Sequence, residues 1–325
     1  MTDFYHRERP CRPPHFRWAV LLPSLTVFCL TMTVKAQLDP DSIRTLNNNL
    51  ANDAVSAVEV FSAGNTIATG TFDYDNPGSS DVKFSTFKLP LSYAFGSPTN
   101  RFRPLVGAYV GYFDLSQDVT GFGPPTGELR VRSWTATAGG GVECRINDWL
   151  SVSPRLMLAY SHVWENYDRD VPPGDPTAGL LFDWDADALT LLPSLEVNAA
   201  WTFDRWVLGV NSRYTFIRVL GLHDSSPLID LDSASQVWRN EVSARYRSPW
   251  KLFSMPVDLF SLFARYDLAG QIRHSDFVEH FYEMRLGASL FVPKWVKPIR
   301  ELSLSGAYYF EGPFTGYSVG LALDF

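Results

Sequence analysis

The sequence predicts an all-β chain that forms a transmembrane antiparallel β-barrel of about 12 strands, with one short amino-terminal helix possible inside the lumen. Three observations predict it. Stretches of apolar/polar alternation recur from about residue 66 to the carboxy terminus. The connections between them alternate short with long. No apolar run of helix-spanning length follows Gln37. In lipid such a chain must satisfy its backbone polar groups by closing a sheet on itself.

Residues 1–36 are expected to be a signal peptide. Arg7, Arg9, Arg12 and Arg17 form a basic n-region, Trp18 to Val34 an apolar h-region, and Val34-Lys35-Ala36 a small-residue cleavage site before Gln37. Pro23 and the shortness of the apolar run argue against a spanning anchor. The whole chain has 28 basic and 35 acidic residues, and this segment holds 5 and 2 of them. The mature chain is therefore strongly acidic, which excludes nucleic acid as a partner. Cys11 and Cys29 leave with the leader, so Cys144 remains without an intrachain disulfide partner. No cofactor is implied.

Residues 37–62 do not alternate. Ile43, Leu46, Leu50, Ala54, Ala57 and Val58 fall near helical spacing, with Asp39 or Asp41 as a cap. This short amphipathic helix could thread the lumen as a plug, lie along the rim or stay unfolded. Its Asn47, Asn48, Asn49 and Asn52 suit a wet interior.

Residues 63–325 carry the barrel. Strands are expected at about 66–73, 82–95, 102–113, 129–145, 150–161, 189–203, 206–216, 236–247, 257–269, 280–292, 301–310 and 316–325. The pattern is plain at 150–161. Leu150, Val152, Pro154, Leu156, Leu158 and Tyr160 share one face, against Ser151, Ser153, Arg155, Met157, Ala159 and Ser161 on the other. Residues 189–203 repeat it, Asp204-Arg205 turn the chain, and 206–216 return as the second arm of a hairpin. The connections at about 96–101, 146–148, 204–205, 248–256 and 293–300 read as periplasmic turns. Those at about 74–81, 114–128, 165–188, 217–235, 270–279 and 311–315 are mostly longer, richer in Asp, Gly and Pro, and interleave with them as extracellular loops.

Side-chain placement follows from the alternation. Tyr160, Trp164, Trp201, Phe203, Trp206, Tyr214, Trp238, Tyr246, Tyr266, Tyr282, Tyr308 and Tyr317 fall on the apolar parity near strand ends, where aromatic girdles sit. The opposite parity places Lys88, Arg155, Glu196, Arg213, Arg239, Glu241, Arg245, Arg265, Asp267, Glu283 and Arg285 in the lumen. Charges of both signs there would pair with each other, either as a structural filling or as a lining that selects solutes.

The last strand is the most specific. Tyr317, Val319, Leu321, Leu323 and the terminal Phe325 share one face, opposite Ser318, Gly320, Ala322 and Asp324. This strand resembles the closing strand of bacterial outer-membrane barrels, and the resemblance implies recognition by the barrel assembly machinery. With the leader, the short helix and the twelve-strand pattern, residues 39–325 resemble the translocator barrel of autotransporters, and more closely the solitary autotransporter-like barrels without a passenger. The resemblance implies an integral protein of the cell outer membrane, in contact with outer-membrane lipid and lipopolysaccharide. Only about 30 residues separate the expected cleavage site from the first strand, so no secreted passenger is expected.

The function that follows is a narrow or plugged pore. One alternative is a structural or surface-interaction barrel that acts through its loops. Another is a lipid-modifying hydrolase, for which Ser161, His162 and His280 are the only offers. Adjacent strand residues point to opposite faces, so Ser161 and His162 form no dyad, and no catalytic residue is assigned. Asp168, Asp170, Asp175, Asp183, Asp185 and Asp187 crowd one loop region, and Asp224, Asp230 and Asp232 another. Their spacing matches no calcium loop, though divalent cations could bridge them to lipopolysaccharide phosphates.

Overall fold

Every alternating stretch becomes a strand. The computed structural model describes residues 67–74, 82–97, 99–119, 127–168, 184–225, 229–271, 278–292 and 301–324, together with Asn48, Ala51, Asn52, Ala54, Val55, Ser56 and Val60. The strands are β1 (Ile67–Tyr74), β2 (Val82–Ala94), β3 (Phe102–Val119), β4 (Gly127–Arg145), β5 (Leu150–Asp168) and β6 (Asp185–Phe203). They continue as β7 (Trp206–Asp224), β8 (Asp232–Leu252), β9 (Met255–Gly270), β10 (His280–Phe291), β11 (Glu301–Glu311) and β12 (Phe314–Asp324). Each pairs antiparallel with its sequence neighbours, and β12 pairs with β1 to close the barrel. Closure leaves no strand edge, the condition for a sheet in lipid. The expected leader, Phe325 and the loop residues Asp170, Asp175 and Asp183 lie outside the described residues.

The two ends of the barrel differ. At one end β6 and β7 are joined by Asp204-Arg205, with Asp204 at φ 49, and β8 and β9 by Phe253-Ser254, at φ 50 and 67. Positive φ at both central residues, as at Phe253-Ser254, or at the first, as at Asp204, suits the right-handed twist of a two-residue hairpin. The expected nine-residue connection there is mostly strand, with an irregularity between Arg247 and Lys251 absorbing the surplus. The other end carries the longest connection, residues 169–184, and connections of seven to nine residues, with departures from the pattern: β11 and β12 are joined there by residues 312–313 alone, and the nine residues 292–300 between β10 and β11 lie at the first end. We call these the short-turn end and the long-loop end.

Strands β3 to β8 are 18 to 21 residues long, where a membrane needs about 9–11. The expected strands were shorter because alternation fades toward the long-loop end. Trp149 stacks on Trp201 at 5.7 Å near the short turns, while Tyr160 lies ten positions along β5 from Leu150. The surplus therefore lies at the long-loop end.

Burial alternates with the pleat. Leu156, Leu158, Leu195, Val210, Val242, Leu286, Leu304 and Val319 are exposed on the outer face. An outer surface this apolar is a lipid-facing belt.

One expected facing is wrong. On β9, Ala264, Tyr266 and Leu268 are buried and point inward, so Arg265 and Asp267 point outward, and Tyr266 is not part of a girdle. The Tyr266 hydroxyl is held inside by two hydrogen bonds, accepting from Arg239 Nε at 2.8 Å and donating to Glu283 at 2.6 Å. Arg265 and Asp267 instead pair with each other at 2.6 Å on the outside, near the long-loop end, where charged tips reach water.

Candidate functional site

The lumen is the candidate site, and it changes character along its length. Toward the short-turn end it is polar. Glu196 on β6 takes Arg213 of β7 at 2.6 Å and Arg155 of β5 at 3.0 Å, with Asn211 donating to its other oxygen at 2.7 Å. Arg245 on β8 reaches across to Glu301 on β11 with two parallel bonds of 3.0 and 2.9 Å. That fork geometry is the strong form of a guanidinium–carboxylate pair. Lys88 of β2 lies over the Tyr109 ring, 4.1 Å from its centre.

A second network sits midway along the wall. Glu283, with no exposed surface, binds Arg285 at 2.7 Å and the Tyr266 hydroxyl, while Arg239 bridges toward both Glu241 and Glu283. Burying a carboxylate this completely is tolerable only because two guanidiniums and a phenol share its charge. The lumen charges expected from the sequence are thus brought together in short cross-strand groups, apart from the outward Arg265 and Asp267.

Toward the long-loop end the inward residues are largely apolar, with Ser133, Glu165, Ser233 and Ser235 buried beside them. Phe72 of β1 stacks on Phe84 at 4.7 Å and on Phe314 at 5.8 Å, and Phe281 stacks on Tyr266 at 4.4 Å. Val131, Val163, Ala186, Ile217, Val219 and Val237 continue this buried core around the barrel. Trp184 and Leu231, which lie between strands at this end, are buried with it. The sequence reading of paired charges in the lumen did not include this core. Its signal is the loss of alternation at strand ends, as in Tyr308-Tyr309-Phe310, because an apolar inner face beside an apolar outer face reads as a continuous apolar run.

The amino-terminal helix joins the same core. Ala51, Ala54, Val55 and Val60 are at most 1% exposed. The Ala54 carbonyl accepts from the inward Ser133 of β4 at 3.3 Å, and Asn48 Oδ1 accepts from the Asp230 amide, between β7 and β8, at 2.6 Å. Asn48 is therefore at the long-loop end, while the chain beyond Val60 must reach the start of β1 at the short-turn end. Of the expected polar face, Asn52 bonds back to the Asn48 carbonyl at 2.8 Å.

On the outer face, His162 Nδ1 and the Tyr160 hydroxyl share one Asp187 oxygen, each at 2.8 Å. Ser161 points inward to Thr135 at 2.8 Å. His280 lies 3.3 Å from Glu311. Among the loop acids, Asp232 pairs with Arg218 at 2.6 Å, and among the described residues no group of three or more acids, His or Cys is placed to hold a metal ion.

The profile of the family described as solitary outer membrane autotransporter beta-barrel domain matches residues 54–319. The chain is similar in structure to the transport unit of the autotransporter AIDA-I from Escherichia coli, with TM-score 0.53, 13% identity, and coverage of 89% of this chain and 100% of that one. It is similar also to the translocator domain of the autotransporter NalP from Neisseria meningitidis, with TM-score 0.53, 10% identity, and coverage of 89% and 100%. The β domain of the Bordetella autotransporter BrkA gives TM-score 0.51, 11% identity, and coverage of 81% and 100%. Identities this low speak to the fold alone. No curated protein matches the chain.

Proposed function

Because this chain belongs to the solitary outer membrane autotransporter β-barrel domain family, we propose that it acts in the outer membrane as a pore held shut by its own amino-terminal helix. The observation that carries the reading is the pair of bonds from the Asp230 amide to Asn48 and from Ser133 to the Ala54 carbonyl, which tie the helix to the β7–β8 connection and to the wall. The dry contacts of Ala51, Val55 and Val60 add to it. In the same reading residues 1–36 are a cleaved leader, the short turns face the periplasm, and the long loops face outward. The outer face of β12, with Tyr317, Val319, Leu321 and Leu323, is what the assembly machinery would read.

We assign no catalytic role. Ser161, the serine beside His162, points inward to Thr135, away from the histidine on the outer face, so the two form no base–nucleophile pair.

Single-channel conductance in planar bilayers tests the proposal, comparing the full mature chain with a variant lacking residues 37–60. Heat-modifiable gel migration shows that each is folded. A silent full chain and a conducting deletion are the expected outcome. If the folded deletion is as silent as the parent, the aromatic core alone closes the lumen and the plug reading is wrong; the loops then become the functional surface.

A further inference from the structure

The outer face of β3, β4 and β5 carries charge where a lipid-facing wall should be apolar. Near the long-loop end, Asp114 of β3 and Arg130 and Arg132 of β4 point away from the lumen, on the parity of Trp134 and Val110. Arg130 gives its Nε and Nη2 to Asp114 at 2.8 and 2.6 Å. Arg132 approaches the same carboxylate only at 3.6 Å; its Nε is buried without a hydrogen-bond partner, while 27% of the side chain stays exposed. One carboxylate thus serves two guanidiniums, with Glu128 next along the same face of β4. The two arginines are two residues apart on one strand face, so their stems start about 7 Å apart.

Aromatic rings lie beside this triad. Tyr112 and Trp164 approach at 6.5 Å between ring centres, and Trp134 lies 5.4 Å from Tyr160. Amphipathic rings of this kind mark the membrane–water interface. An arginine on the lipid face is strongly destabilising at the bilayer midplane and close to neutral at the interface, so the arginines belong to the headgroup layer.

We propose that Arg130 and Arg132 form a binding site for the phosphate of a phosphorylated glycolipid in the outer leaflet. The planar guanidinium fork matches phosphate oxygens, and Arg132 has donor capacity that Asp114 does not fill. Two adjacent guanidiniums favour the phosphate monoester of such a glycolipid, with charge of about −1.5 to −2, over the singly charged phosphodiester of a simple phospholipid headgroup. The site rests on the long loops facing outward, but not on whether the lumen is plugged.

The test is lipid binding to the folded full chain in detergent, read by native mass spectrometry. The probes are diphosphorylated lipid A, its dephosphorylated form, and phosphatidylglycerol. The expected result is preference for the phosphorylated glycolipid. It should be lost by about tenfold or more in Arg130→Gln/Arg132→Gln and kept or strengthened in Asp114→Asn, which frees both forks. Heat-modifiable migration confirms that each variant is folded, and Arg265→Gln, on another part of the outer face, serves as the control. Unchanged affinity in the double variant overturns the proposal. Equal binding of phosphatidylglycerol overturns it too, since the site would then be a general anion surface.

Discussion

Glu283 has no exposed surface, yet it carries a charge that Arg285, Arg239 and Tyr266 all address. Removing it takes away the carboxylate that Arg285 pairs with, while Arg239 keeps Glu241, at a cost of about 3–5 kcal/mol. Glu283→Ala is therefore expected to lower the urea midpoint of the barrel in vesicles far more than Ser318→Ala. An equal midpoint for the two variants would mean that the network adds nothing. Gly316 shows the opposite constraint, since its Cβ would sit 2.2 Å from Phe72 Cδ1, whose ring lies across the neighbouring strand. Gly316→Ala must push that ring out of its stack with Phe84 and Phe314, for a loss of about 1–3 kcal/mol, measurable in the same titration. Neither role was legible in the sequence. This glycine and this phenylalanine stand near opposite ends of the chain and meet only because β12 closes on β1. The charge of Glu283 was legible as inward, because its own strand alternates cleanly. Arg265 was misread because Tyr266 beside it is amphipathic, and either residue suits either face.

Among the elements, the helix is the one whose place the sequence left open. Its spacing gave the helical form, but its asparagines argued for water on all sides, whereas the described alanines and valines are dry. Tertiary contacts decided the matter, and no local pattern encodes them. Val55 makes the sharpest probe because it has no exposed surface and lies in the core with Ala51 and Ala54. An aspartate there must either be neutralised or expel the helix. Val55→Asp is expected to give channel openings that the parent lacks, with the barrel still folded by gel migration. Silence in a folded Val55→Asp variant would show that the helix tolerates charge, and so does not sit in a sealed core. The strands were easier to read. Their existence follows from a period of two that each segment carries by itself, while their true lengths depend on an inner face that turns apolar at the long-loop end and so blurs that period.

At the scale of the whole molecule, one wall encloses two solvents. The polar groups around Glu196 and Glu301 belong to a half of the lumen that water reaches, since the Arg155, Arg213 and Arg245 side chains keep 26, 21 and 36% of their surface. The half lined by Phe72, Val131, Val163 and Val219 does not keep any comparable exposure, with values of 1% or less. A single strand should therefore report both. On β5, Ser151 and Val163 point into the same lumen, one near each end. In a Cys144→Ser background, Ser151→Cys is expected to react with a water-soluble maleimide at close to the rate of an exposed thiol. Val163→Cys should react at least a hundredfold more slowly, because labelling needs local opening of packed aromatic and aliphatic contacts, at about 1.4 kcal/mol for each factor of ten. Removal of residues 37–60 then separates two ways of staying dry. If Val163→Cys becomes reactive, the helix excludes the water. If it stays protected, the wall's own side chains fill the space, and a pore would have to form by rearranging the phenylalanines of β1, β2, β10 and β12 rather than by withdrawing a plug.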